Sequence, residues 1–269
     1  DARTLQVALS INSVMQQQLP LTVSASGVQQ VQFTDVIFAD GDNRVDISIT
    51  PNDALPEDDM RHTVFDNAPP APVLLLTADP KSLGVTYISA ALETAPRGYK
   101  VEAVSLDGFD ARVMQRYPWL IVEDIGSINA ALEAALRDYI SGGGSVLAAA
   151  GPRAAALSTV PVLGNNIGAA QLGPNGRVIN LQISRIDTSH PALQESSGWS
   201  SVNVRALPIT TSSEDHVLIA QNARTPVLIE RSIGAGRMML LTTSVDNSAS
   251  DLPVKPVFVT FMAEAAQYL

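Results

Sequence analysis

Three histidines, a scatter of acids and two tryptophans are the residues whose types could do chemistry here, and their spacing decides which chemistry. His62, His190 and His216 stand in three separate segments with no ligand spacing between any two, so they predict turn and surface positions and no zinc site. His190 precedes Pro191 in DTSHPAL, a pattern that favours a structural turn over a catalytic base. No Gly-x-Ser-x-Gly elbow, phosphate-loop signature or dinucleotide fingerprint after a strand occurs. Gly142, Gly143 and Gly144 come before an apolar run and not after one, so they cannot offer helix N-terminal amides to a phosphate. The chain holds no cysteine, which excludes disulfides, thiolate metal sites and a cysteine nucleophile. Neither a cofactor nor a metal is expected.

The acids need more thought. Asp79, Asp107, Glu123 and Asp124, together with Ala149 to Gly151, fall where the strands of a parallel sheet are expected to end, and open α/β sheets hold their ligands there. These carboxylates could gather a cation. Alternatively Asp79 and Asp124 cap loops or helices, positions that want these residue types, and no coordination spacing points to the metal. Trp199, in SSGWSS, is expected in an exposed loop, whereas Trp119 opens a buried strand; with 5% aromatics there is little from which to build a sugar-stacking platform. Asp79, Glu123, Asp124, His190 and Trp199 are therefore the candidate binding residues.

The elements that must position them follow from periodicity. Trp119 to Gly151, WLIVEDIGSINAALEAALRDYISGGGSVLAAAG, reads as strand, helix and second buried strand, one βαβ unit. Its helix carries Ile128, Ala131, Leu132, Ala135, Leu136, Tyr139 and Ile140 on one face, with Ser127 as the expected N-cap and Gly142 to Gly144 as the stop. Upstream, Val73 to Thr77, a helix at Thr86 to Thr94, Val101 to Leu106 and a short helix at Ala111 to Arg116 continue the alternation, which implies a mostly parallel, flavodoxin-like sheet with helices on both faces. Downstream, strands are expected at Val178 to Ile183, Val202 to Leu207, Val217 to Ala220, Val227 to Arg231 and Met238 to Thr243, with a short helix at Arg153 to Leu157 and a closing helix from Pro256 to Leu269. The closing helix, with Val257, Phe258, Phe261, Met262, Ala265 and Leu269 on one face, is expected to be buried. Before all of this, LQVALSI, LPLTVSA, VQFTDVIF and VDISIT alternate with period two, and His62 to Phe65 follows as a last strand. They predict a small antiparallel β-sandwich-like module over residues 1–68, joined by the stiff NAPPAP linker to an α/β domain over residues 73–269.

Composition narrows the partners. The 269 residues carry a formal charge of −10, which disfavours nucleic acid and anionic membrane surfaces. No apolar run reaches the ~20 residues needed to span a bilayer, so this fragment is expected to be soluble.

Taken together, Asp53-Ala54-Leu55-Pro56 with Asp58, the strand VLLLTADP after the proline linker, Glu123 to Ser127, Tyr139-Ile140 before the three glycines, Ser189-His190-Pro191, TPVLIERSIGAG and the C-terminal DLPVKPVFVTFMAEAAQYL are similar to the extracytoplasmic region of BatA-type membrane proteins. The resemblance runs from about Val31 to the end, departing at Asp59, where asparagine is common in that family. It implies a class I glutamine amidotransferase-like domain in a membrane-anchored, periplasm-facing protein whose anchors lie outside this segment. It also implies protein partners in an envelope complex, von Willebrand A domain proteins and a MoxR-type ATPase system among them, and a scaffolding rather than catalytic role. Working amidotransferases carry their cysteine at the turn after a strand like Ser145 to Ala149, where this chain has Ala149, Ala150 and Gly151 as a degenerate nucleophile elbow. The rival expectation is a carbohydrate-binding or hydrolytic domain of the trehalose-utilisation kind, which shares the fold and a His-Pro turn.

Overall fold

The computed structural model describes residues 2–169, 181–222 and 225–269. The chain divides into two compact units, Asp1–Pro69 and Pro70–Leu269.

Unit 1 is one four-stranded antiparallel sheet in the order β2-β1-β3-β4, built from β1 (Arg3–Ile11), β2 (Val14–Val23), β3 (Gly41–Thr50) and β4 (Met60–Asn67). Asn12 and Ser13, both with positive φ, make the two-residue turn that matches strand twist between β1 and β2. Alternation places Val7, Leu9 and Ile11 in the buried face. Two of the expected strands differ. Pro20 lies inside β2 and not at its border, which is tolerated because β2 is an edge strand. VQFTDVIF is no strand at all. Asp35 takes a positive φ, and neighbouring backbone groups are satisfied by side chains: Asn43 bonds Ala39 through both N–H and C=O, and Gln17 donates to the Thr34 carbonyl. Phe38 instead packs on Phe65 of β4, with ring centroids 4.6 Å apart. The other apolar residues of the run are half-buried at best, and Ile37 is 72% exposed.

Unit 2 has an eight-stranded sheet flanked on both faces. Its strands are β5 (Ala71–Thr77), β6 (Tyr99–Ser105), β7 (Trp119–Val122), β8 (Ser145–Ala149), β10 (Arg185–Ile186), β12 (His216–Asn222), β13 (Thr225–Ile233) and β14 (Gly236–Leu241), while β9 (Leu181–Gln182) and β11 (Asn203–Val204) form a separate small pair. The order is β10-β12-β13-β14-β8-β7-β5-β6, with parallel pairing from β14 through β6 and antiparallel pairing from β10 to β14. Helices α1 (Leu83–Glu93) and α3 (Pro256–Tyr268) pack on one face, and α2 (Ala130–Ser141) on the other. Among the described residues no helix is long and apolar enough to cross a membrane.

Several local expectations shift for identifiable reasons. The α2 cap is Asn129, whose side chain accepts from the Leu132 N–H, and not Ser127. Helix α1 begins earlier, at Leu83, because Ser82 caps it. The run Val202 to Leu207 keeps strand geometry only at Asn203–Val204, since Arg205 and Leu207 turn to bond Ala249 and Thr242. Residues 178–180 of the strand expected from Val178 lie outside the described residues. α3 packs inward as its stripe requires, with Phe258, Phe261 and Met262 fully buried.

Candidate functional site

In unit 2 the strand order reverses between β5 and β7, since β6 lies on one side of β5 and all later strands lie on the other. In this architecture ligands sit outside the carboxyl ends of the strands at such a switch point. Here the position is filled from within. The Thr77 hydroxyl at the end of β5 donates to Glu123 Oε2 at the end of β7, 2.5 Å away, and the Glu123 carboxyl lies over the first turn of α1. A Cβ on Gly84 would overlap that carboxyl, so residue 84 must be glycine for Glu123 to occupy the helix N-terminus, where an anion's charge is favoured by the helix dipole. Burial pushes the Glu123 carboxyl above the ordinary glutamate value; the Thr77 hydrogen bond opposes that, and the charges of Asp124 and Asp246 add to it. A buried, internally bonded carboxyl therefore stands where a phosphate would bind.

Asp124 is held in the left-handed region, at φ 47°. Its carboxylate accepts the N–H of Arg153 at 3.1 Å and that of Ala154 at 3.4 Å, with the Arg153 guanidinium 3.9 Å away. A Cβ on Gly151 would come within 2.6 Å of it, so this glycine leaves the room the cap needs. Asp79 behaves similarly, turning back to accept the Lys81 N–H at 3.0 Å. Both acids are spent on backbone N–H groups, and among the described residues they do not gather as cation ligands. The set of three carboxylates that does come together is Asp53, Asp58 and Asp59 in unit 1, in a loop where Asp53 accepts the Leu55 N–H and Asp59 the Asp53 N–H.

The elbow position carries no reactive group. Ala149 and Ala150 are buried, the Ala150 N–H donates to the Leu241 carbonyl, and the Ala149 carbonyl accepts from Ile125. Beside them lies a cavity of about 270 Å³ lined by Ala150, Gly151, Pro152 and Ala155 on one side and by Arg205 to Leu207, Ser248 and Ala249 on the other. Arg205 is exposed at its rim and tied by its guanidinium to the Ser248 carbonyl at 2.8 Å. At the end of β14, partial burial raises the Asp246 carboxyl, but hydrogen bonds from Ser244 and Ser248 outweigh it and leave Asp246 below the usual carboxylate range.

Two candidate residues lie away from this crevice. His190 caps the short turn Pro191–Leu193: its Nδ1 accepts the Ala192 N–H, which leaves the proton on Nε2, 3.2 Å from Glu230. Tyr268 donates to the other oxygen of Glu230, and Arg237 stacks 4.5 Å over the Tyr268 ring. Glu230 pairs with Met239, which pairs with Leu147, so His190 is bonded two strands across and two residues short of Ala149. At strand spacings of ~4.8 Å and a rise of ~3.3 Å that separation is roughly 12 Å. Trp199 corrects the expectation of an exposed loop. It is among the largest fully buried side chains, edge-on to Phe261 with centroids 5.3 Å apart, and its indole N–H donates to Ser196 at 3.2 Å. Gly198, at φ 99°, turns the chain so that the ring enters the core. The polar SSG and SS around it are the exposed rim of a buried anchor.

Residues 77, 84, 205 and 246 did not stand out in the sequence. Gly84 gave no signal because the helix was expected to begin at Thr86, two residues after it.

No family model matches the chain, and no curated protein does. Solved structures do. A ThuA-like protein of Bacteroides uniformis superposes with a TM-score of 0.55 at 13% identity, over 76% of this chain and 93% of that one. A ThuA-like protein of Parabacteroides merdae gives 0.50 at 14%, over 74% and 90%. A Salmonella typhimurium protein described as cytoplasmic gives 0.54 at 13%, over 73% and 98%. At these identities the likeness establishes the fold, an amidotransferase-like, Rossmann-like α/β domain.

Proposed function

We propose that unit 2 is a carbohydrate-binding domain of the trehalose-utilisation kind that holds its ligand without a covalent step. The observation that carries this reading is the elbow: Ala149, Ala150 and Gly151 leave no nucleophile, and the nearest acids are engaged by Thr77, Arg153 and Ala154. Nucleophilic catalysis needs a thiolate or activated hydroxyl within hydrogen-bond reach of an oriented base. His190 is remote and donates its proton to Glu230. What the strand ends do offer is the cavity between Gly151 and Arg205, with an apolar floor and a charged rim. Its volume of about 270 Å³ falls just under the roughly 300 Å³ at which ligand pockets begin, room for a single sugar ring and not a dinucleotide. The buried Trp199 supplies no stacking platform, so recognition rests on Arg205 and backbone groups.

The test is a melting-midpoint screen against neutral monosaccharides and small polyols. At tenfold the dissociation constant a bound ligand stabilises by about 1.4 kcal/mol, a rise of roughly 3–6 °C for a domain of this size. We expect one member to give such a rise and Arg205→Ala to abolish it; a flat response across the panel would sink the reading. The envelope-complex context, with von Willebrand A and MoxR-type partners, is a separate proposal supported by the BatA-type motifs alone, and co-purification from a native envelope fraction tests it.

A further inference from the structure

We propose that β4 is a pairing edge through which two copies of this chain join antiparallel, with Val64 opposite Val64 and His62 opposite Asp66 of the second copy.

β4 closes one side of the unit 1 sheet, and seven of its eight residues are exposed; Met60, Val64 and Phe65 keep 48%, 68% and 46% of their surface. Unpaired edges of this length are normally blunted by proline, lysine or a bulge. β4 has no proline, lysine or bulge, its formal charges are one of each sign, Arg61 and Asp66, and its register with β3 runs unbroken from Gly41↔Asn67 to Ser48↔Met60. The opposite edge is guarded. β2 contains Pro20 and meets a register break at Leu9/Ser10 of β1. Asn12 donates to Arg44, which assigns the even residues of β1 to β3 and the odd ones to β2; Pro20, opposite Gln6, therefore points its missing N–H outward. The occupant of β4 is thus not a β2 edge.

The ladder fixes which groups of β4 are free. Ile49 donates to Asp59, so odd residues bond β3, while Met60, His62, Val64 and Asp66 direct N–H and C=O away from the sheet. Two copies related by a two-fold axis can oppose only residues of equal parity, because opposed residues share a face and a bonding direction. An axis at Thr63 would set Asp66 against Met60 and Arg61 against Phe65. An axis at Val64 sets Asp66 against His62 twice and places two valines in contact at the centre; each His62 lies beside Arg44 at 3.3 Å and keeps its own Asp46 at 2.5 Å. The second register is selected because it joins the two exposed valines and sets Asp66 beside the polar Arg44, Asp46 and His62 group, where the first sets it against Met60.

The ladder also supplies a variant that spares the fold. Val64→Pro removes an outward donor and leaves every β3 bond in place, so the whole chain should keep its circular dichroism and melting midpoint while losing self-association. Because the chain has no cysteine, Val64→Cys introduces a single thiol. Across a hydrogen-bonded pair the two Cα atoms lie about 5.5 Å apart, within disulfide reach. We expect sedimentation to show a concentration-dependent dimer for the native chain and a monomer for Val64→Pro, and mild oxidation to cross-link Val64→Cys but not Met60→Cys. A native chain that stays monomeric at every attainable concentration, a Val64→Pro chain that dimerises as well as the native one, or equal cross-linking of both thiols would overturn the proposal.

Discussion

Phe261→Ala is expected to lower the melting midpoint by roughly 6–20 °C, from a loss of about 3–5 kcal/mol at 2–4 °C per kcal/mol. Phe261 has no exposed surface and stands edge-on to Trp199, so truncation leaves a cavity bordered by a rigid indole that cannot collapse into it. Trp199→Ala should cost a similar amount, and the double variant less than the sum, because both remove the same ring pair. Thermal melts followed by circular dichroism decide it. Midpoints within a degree or two of native would mean that α3 and the turn Trp199–Ser201 are not core elements.

Gly84→Ala should destabilise unit 2 by about 1–3 kcal/mol, although alanine is the better helix former, because its Cβ collides with the Glu123 carboxyl. Adding Glu123→Ala should recover most of that loss, a coupling that a general helix effect would not show. The same carboxyl makes a pH prediction. Folding raises its pKa, so the folded chain binds this proton more tightly than the unfolded chain does. Its stabilising contribution is complete below the ordinary glutamate value and fades as pH rises through the raised folded value. Glu123→Gln should flatten that part of the midpoint profile. Gly84→Ala as stable as native, or a profile unchanged by Glu123→Gln, would refute the packing described at the switch point.

The first strand of unit 1 and the helices of unit 2 were legible because burial writes itself into spacing: LQVALSI, the α2 stripe and the α3 stripe each carry a period that one structure satisfies. VQFTDVIF carried a similar alternation and is no strand: its apolar residues stay half-buried or, at Ile37, exposed, and its backbone groups bond side chains such as Asn43 and Gln17 in place of a ladder. Trp199 misled for the converse reason, since its polar neighbours describe the rim and a positive-φ glycine sends the ring inward. At the crevice the acids were visible, but their partners were not. Thr77 meets Glu123 across 46 residues and Asp124 meets Arg153 across 29, contacts that only the sheet order brings about. Arg205 escaped notice because its segment reads as strand until Ala249 and Thr242 draw it away.

If this amidotransferase-like domain binds without covalent catalysis, as proposed, ammonia release from glutamine by the purified chain is the decisive measurement. The alanine elbow predicts release at the level of a buffer control, unchanged by His190→Ala. Release above that control and lost in His190→Ala would mean that the domain is a working amidase despite its alanine elbow.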